Sequence, residues 1–310
     1  MVSPSGLPLV AAVIVNWNGG DLVRECVRSL VASTYPALQL IVVDNGSTDG
    51  SPQQIERAFP FVKLVLNGEN LGYAEGANRG IHHALRGGAS AVLIMNNDLT
   101  VDRRAVAELV SILRTQPDVG IVGAKIYRAD DPSRLYCVWE ELRYNHVLTR
   151  ARGEYELDRG QYDGIQDVDC VCGAAMMVRR EVFQDIGLFD PTYFAYQEQV
   201  DFCQRARQRG IRIVFVPRAK VWHHGEFSLR SREALHIKTY LLRRNSVLFM
   251  RRHGTWRTWP KFLLWVLASV VVALFTELGR GRPRFFVARI RGFLHGFMNK
   301  PVDGKLLFGK

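Results

Sequence analysis

Four short apolar runs in the first hundred residues each end in side chains that can ionise or bind. Val13-Ile14-Val15 leads into Asn16-Trp17-Asn18-Gly19-Gly20, and Val42-Val43 into Asp44-Asn45-Gly46-Ser47-Thr48-Asp49. Val65-Leu66 leads into Asn67-Gly68-Glu69-Asn70-Leu71-Gly72, and Ile94-Met95 into Asn96-Asn97-Asp98. Any one of these loops reads as a turn, because Asn, Asp and Gly are the commonest turn formers. Four of them, three carrying carboxylates, read as a polar binding site if the fold brings the run ends to one edge. Neither G-x-G-x-x-G after the first run nor G-x-x-x-x-G-K-[ST] occurs. Dinucleotide oxidoreductases and P-loop phosphotransferases are therefore disfavoured. The phosphates of a bound nucleotide would rest on a divalent cation held by Asp98, and hard oxygen ligands suit Mg²⁺ or Mn²⁺.

The elements that must position these ends follow from the apolar pattern. Continuous runs at 9–15, 40–43, 62–66, 91–95, 119–122 and 211–216 alternate with amphipathic stretches. Leu22, Cys26, Val27, Leu30 and Val31 mark one helix, Ser51-Pro52 opens a second, and Asp102 is expected to cap a third. Strands that are apolar throughout, each followed by a helix, predict a mostly parallel sheet covered on both faces. Ligands of such sheets sit beyond the carboxyl ends of the strands. A chain of 310 residues that is 47% hydrophobic and 23% charged buries a sizeable core, which excludes a disordered or disulfide-stapled protein. Five irregularly spaced cysteines (26, 137, 170, 172 and 203) suit a reducing compartment, and no secretory leader is expected at the start. Cys170-Val171-Cys172 lacks zinc-site spacing, and Met176 and Met177 read as core.

Further motifs occur in order after these loops: Asn70-Leu71-Gly72-Tyr73-Ala74 with Asn78, then Gly187-Leu188-Phe189-Asp190, Phe194, Glu198, Asp201, Arg205 and Gly210. With the strand ends above, they resemble family 2 glycosyltransferases of the GT-A fold, in the branch containing bacterial rhamnosyltransferases, over about residues 8–245. The resemblance implies a Rossmann-like sheet and inverting sugar transfer from a nucleotide diphosphate sugar. A dTDP-linked donor such as dTDP-rhamnose is favoured, with UDP- and GDP-sugars open. By position, Asp44 would bind the nucleobase or ribose, and Asn16 and Asn78 would shape the donor pocket. Asn96-Asn97-Asp98 stands at the family's D-x-D motif, so Asn97 and Asp98 would face the donor and Asp98 the metal. His223, with His224 as the alternative register, matches a histidine that reaches the metal in relatives. The family's base is the second acid of a pair, and here the pair reads Glu198-Gln199. An amide cannot take a proton. Glu198 is the expected base, with Asp201 at i+3 as the second candidate, itself equally placed for an i, i+4 salt bridge to Arg205. Residues 127–166 lack periodicity and are expected to be an acceptor-side insertion or mobile loop, with Trp139, Tyr144 and His146 as acceptor contacts.

The net charge of +11 is unevenly placed. Residues 1–229, the expected catalytic domain, hold 24 Lys+Arg and 27 Asp+Glu, whereas residues 230–310 hold 17 and 3. The second region contains an apolar run at 262–275 and a stripe of Phe286, Ile290, Phe293, Leu294 and Phe297 flanked by arginines. Fourteen helical residues reach about 21 Å, short of a hydrocarbon core of about 30 Å. A basic amphipathic tail on an anionic membrane surface is therefore expected, peripheral to the inner face of the cell membrane. Aromatics segregated from the bases argue against nucleic acid. The expected acceptor is a glycan or lipid-linked hydroxyl in cell-envelope polysaccharide synthesis. Nucleotidyl transfer on the same fold and a catalytically silent binding protein are the rival readings.

Overall fold

The computed structural model describes residues 6–225, 232–304 and 307. The chain opens with β1 (Val10–Asn16), α1 (Gly20–Val31), β2 (Leu38–Asp44), α2 (Ser51–Ala58), β3 (Lys63–Leu66), α3 (Gly72–Arg86) and β4 (Ala91–Asn96). After β5 (Leu99–Val101), α4 (Ala105–Thr115) and β6 (Val119–Arg128) come four short strands: β7 (Leu135–Cys137), β8 (Glu140–Leu142), β9 (Thr149–Ala151) and β10 (Gln166–Asp167). The sheet-bearing part of the chain closes with β11 (Ala175–Arg179), α5 (Arg180–Ile186), α6 (Glu198–Gln208) and β12 (Arg212–His223). Three helices follow: α7 (Arg232–His253), α8 (Thr258–Gly279) and α9 (Pro283–Phe297).

The main sheet runs β10-β12-β6-β11-β4-β1-β2-β3. β4, β1, β2 and β3 are mutually parallel, so the polar ends read from the sequence all emerge at one edge. β11 enters antiparallel between β4 and β6. Helices cover both faces. Val10, Ala12 and Ile14 belong to one apolar cluster and Ala11, Val13 and Val15 to the other, which is why β1 is apolar at every position.

Residues 127–166 are not an unstructured loop. β8 and β9 form a hairpin, and Trp139 packs on Phe215 and Tyr162 beside buried Leu135 and Val138. Lys125, buried in β6, ties the segment down through Asp158 at 2.6 Å and Asp163 at 2.9 Å. Contacts distant in sequence, rather than local periodicity, order this region.

The basic region divides. α7 joins the core: Phe249 packs into one of the sheet-face clusters, and Arg244 and Asn245 are buried. α9 lies along α7 through two glycines. A Cβ on Gly292 would stand 2.5 Å from the Tyr240 carbonyl oxygen, and one on Gly296 2.7 Å from that of Arg244. The expected lipid-facing stripe of α9 is therefore partly spent on α7, with Phe293 buried and Leu294 and Phe297 left outside. α8 differs. It extends past the apolar run at both ends to 22 residues, about 33 Å at the helical rise. It is long and apolar enough to cross a membrane by length and composition, and most of it lies exposed. The 14-residue reach inferred from the run alone was too short, because Pro260 is accepted in the first helical turn.

Candidate active site

At the sheet edge, the Asn16 side chain is a hub. Its Nδ2 donates to Asp44 Oδ1 at 2.9 Å, Ser51 Oγ at 2.9 Å and Ser47 Oγ at 3.2 Å, and its Oδ1 accepts from Asn97 Nδ2 at 2.9 Å. Asp44 Oδ2 accepts from the amides of Gly46 and Ser47 at 3.1 and 2.9 Å. The ends of β1, β2 and β4 are thus one polar network. α1 can start close above it only because residue 19 is glycine: a Cβ there would lie 2.4 Å from both Asn16 Oδ1 and Asn97 Nδ2.

Next to this network lies a cavity of about 580 Å³. Trp17, Asn45, Asn97 and Asp98 line it from the strand ends, Tyr73 from α3, and Gln197, Glu198 and Gln199 from the start of α6. The hairpin region adds Tyr136, Glu140, Thr149 and Glu154, β12 adds His223, and α7 adds Lys238. The structure therefore brings Asn97, Asp98, Glu198 and His223 together. Asn16 and Asp44 stand behind the lining, as its support. Asn78 is not at the cavity: its amide is closed on Phe189, Nδ2 donating to the carbonyl at 2.9 Å and Oδ1 accepting from the N–H at 3.1 Å. This corrects the expectation that Asn78 shapes the donor pocket; it fastens α3 to the chain before α6.

Asp201 is also turned away. It is fully buried and accepts from Arg205 Nε at 2.8 Å, Arg252 Nη1 at 2.9 Å and His253 Nε2 at 2.8 Å. Burial opposes its charge, but the His253 hydrogen bond and the two guanidiniums outweigh it and hold the carboxyl at about 2. A carboxylate so engaged is a poor base. Its position corrects its candidacy: it links α6 to α7.

Glu198 shows the opposite pattern. It is 4% exposed, and its Oε2 has no hydrogen-bond partner among the described residues. Burial, supplemented by the charge of Glu140, pushes its carboxyl up to about 7. Such a group is poised to take a proton near neutrality.

Asp98 Oδ1 lies 3.6 Å from His223 Nε2. That is long for a hydrogen bond and near the roughly 3 Å that adjacent ligands of one small cation keep. The chemistry fits Asp98 directly. His223 fits conditionally: its Nδ1 accepts from the Gly225 amide at 3.0 Å, so a neutral ring carries its proton on Nε2. Nε2 offers a lone pair only when Gly225 lets go. Tyr136 stacks flat on the ring, centroids 4.3 Å apart, fixing its plane. His224 points elsewhere, its Nε2 3.3 Å from Thr100 Oγ1. Trp139, Tyr144 and His146, the expected acceptor contacts, do not line this cavity. Trp139 is core, Tyr144 packs on Phe249, and the His146 carbonyl accepts from Arg243.

Sequence reasoning missed Asn45, Tyr73, Tyr136, Glu140 and Gln197. It also missed the support of the segment before α6. Phe194, Tyr196 and Gln197 all have positive φ, at 61°, 68° and 70°, a conformation costly for residues with side chains. Asn245 of α7 holds the segment by sharing its two Nδ2 hydrogens among the carbonyls of Tyr193, Ala195 and Tyr196, at 2.9, 2.9 and 2.8 Å. Gly72 receives it closely: a Cβ there would meet the Phe194 carbonyl oxygen at 2.5 Å.

The family described as "Glycosyltransferase like family 2" matches residues 8–241. An N-acetylglucosaminyl-diphospho-decaprenol L-rhamnosyltransferase of Mycobacterium tuberculosis is 29% identical over 283 residues, 84% of this chain and 89% of the relative. A mannosyltransferase from Pyrobaculum calidifontis, solved with GDP-Man and Mn²⁺, has a TM-score of 0.56 at 16% identity, covering 94% of this chain and 88% of its own. GalNAc-T7, solved with UDP, GalNAc and Mn²⁺, has a TM-score of 0.58 at 14% identity, over 88% of this chain and 59% of its own. At these identities the two structures bear on the fold, which is GT-A.

Proposed function

Since the chain belongs to glycosyltransferase-like family 2 and is a glycosyltransferase, we propose that it transfers a sugar with inversion from a nucleotide diphosphate donor to a lipid-linked glycan hydroxyl. Rhamnose from dTDP-rhamnose is the first candidate, and the setting is envelope polysaccharide synthesis at the inner face of the cell membrane. The relative's name supports this reading of sugar and acceptor. The observation that carries the chemistry is Asp98 and Glu198 lining one cavity, the first ionisable beside His223, the second buried with an idle oxygen.

In this reaction the bond from the anomeric carbon to the donor's diphosphate oxygen breaks while a bond to the acceptor oxygen forms on the opposite face. The acceptor proton passes to Glu198, and the nucleoside diphosphate leaves with the bonding electrons. Positive charge develops on the sugar, as in glycoside hydrolysis. Asn97, held by Asn16, and Asp98 stand on the donor side of the cavity, and the hairpin wall stands on the acceptor side. Mg²⁺ or Mn²⁺ would supply Lewis-acid stabilisation of the leaving diphosphate; Asp98 would hold it, and His223 would add Nε2 only in the tautomer that does not accept from Gly225.

The test is to incubate the purified full chain with a lipid-linked N-acetylglucosaminyl diphosphate acceptor and dTDP-rhamnose, UDP- or GDP-sugars, with and without Mn²⁺. Free nucleoside diphosphate is the expected product, abolished in Asp98→Ala. Inorganic pyrophosphate would indicate nucleotidyl transfer instead, and turnover unchanged in Asp98→Ala would remove Asp98 from the site. Absence of both donor binding and turnover with every one of these donors would overturn the donor reading.

A further inference from the structure

Gln197 is the least satisfied polar side chain of the cavity. It is 4% exposed, lines the cavity, and neither Oε1 nor Nε2 has a hydrogen-bond partner among the described residues. Its backbone is held at φ 70° by the Asn245 clamp on the preceding segment. Burying a carboxamide with both ends idle is unfavourable, and strained backbone adds to the cost. The arrangement makes sense if a ligand brings one donor and one acceptor to this place. A sugar hydroxyl pair does so, since each hydroxyl both donates and accepts.

Glu140 is its counterpart across the sequence. It sits at the start of β8 and lines the same cavity. Gln199 Nε2 donates to its Oε1 at 3.1 Å, and Thr149 Oγ1 to its Oε2 at 2.6 Å. An ionised carboxylate has about four acceptor sites, so two remain for a ligand. Gln199 thus acquires a reason. An acid at 199 would repel Glu140, whereas the amide fixes it; the second carboxylate stands on the hairpin instead of beside Glu198 in the chain.

We propose that the Gln197 carboxamide and the Gln199-held carboxylate of Glu140 form the subsite that binds hydroxyls of the acceptor sugar beside Glu198. The inference rests on the glycosyl-transfer reading above. The acceptor side is indicated because Glu198, the adjoining residue, must meet the acceptor hydroxyl, whereas the donor diphosphate belongs with Asp98.

The probe is N-acetylglucosaminyl diphosphate on a short lipid, with dTDP-rhamnose as donor and the full chain as enzyme. Gln197→Met, close in size and without polar atoms, is expected to raise the acceptor KM or lower kcat/KM for acceptor roughly 10- to 100-fold. Donor affinity should stay as it was, and the melting temperature should rise, because an unsatisfied buried amide has gone. Glu140→Gln should show the same split between acceptor and donor constants. A Gln197→Met protein that melts lower with acceptor kinetics intact has lost only a structural group, and the proposal falls. A rise in donor KM in either variant assigns the subsite to the donor and also overturns it. If the wild-type chain hydrolyses the donor but never glycosylates the probe, the acceptor reading fails first and takes the subsite with it. Wild-type transfer with both variants unaffected sinks the subsite alone.

Discussion

Two buried acids three residues apart on one helix show how surroundings assign roles. Glu198 and Asp201 both belong to α6, yet one is held near 7 and the other at about 2. For Glu198→Gln we expect transfer to fall roughly 10²- to 10⁴-fold with donor affinity retained. In the wild type the reactive form is the carboxylate of a group whose value is raised, so kcat/KM should climb with pH and level off above about 7. A flat profile from pH 5 to 8 would remove Glu198 from the proton transfer. Much of this was legible in the sequence. Asp98 stands out because a strand end followed by Asn-Asn-Asp is a local pattern, and Glu198 because the motif around it is contiguous. Gln197 and Glu140 were not legible: their meaning depends on burial and on a contact between positions 140 and 199 that no local pattern encodes. Asn78 misled for the converse reason, since an amide in a family motif reads as a ligand until its closure on Phe189 is seen.

Among the elements, α7 matters more to the site than its place in the basic region suggested. Arg252 and His253 reach back to Asp201, and Asn245 to the segment before α6. The Arg205 pairing is visible from i, i+4 spacing, whereas the α7 partners lie 51 and 52 residues away. Asp201→Asn removes the anion from between the Arg205 and Arg252 guanidiniums and should destabilise the fold by roughly 3–5 kcal/mol, read from denaturant midpoints. The sign with pH follows from the depressed carboxyl. Its contribution, roughly 2 kcal/mol, is complete above the unfolded value near pH 4 and is lost as pH falls toward 2. If Asp201→Asn melts like the wild type, the cluster is not the tie between α6 and α7. The strand order, by contrast, was only half readable. Parallel β4, β1, β2 and β3 follow from apolar runs and right-handed crossovers, but nothing local says that β11 inserts antiparallel.

For the molecule as a whole, residues 1–229 carry a small acidic excess, and among the described residues α8 is an exposed apolar helix. Leu264, Leu267, Val271 and Phe275 lie on one face of α8, all exposed. We expect simultaneous replacement of these four by Gln or Ser to release the full chain from anionic liposomes in co-sedimentation, with donor affinity kept. Undiminished sedimentation would shift the attachment to the arginines around α9. Changing the face is a cleaner test than deleting residues 257–310, because deletion would also strip α9 from buried Val247 and Met250 on α7.

The clamp by Asn245 also bears on descent. Three carbonyls of the strained segment and the amide that gathers them lie on opposite sides of the charge boundary, about fifty positions apart. A hybrid gene joined at that boundary from two relatives would inherit a hook from one parent and its eyelets from the other. Nothing in this clamp constrains the exposed helix α8, whereas α7 and the stretch leading into α6 must be passed on as a matched set.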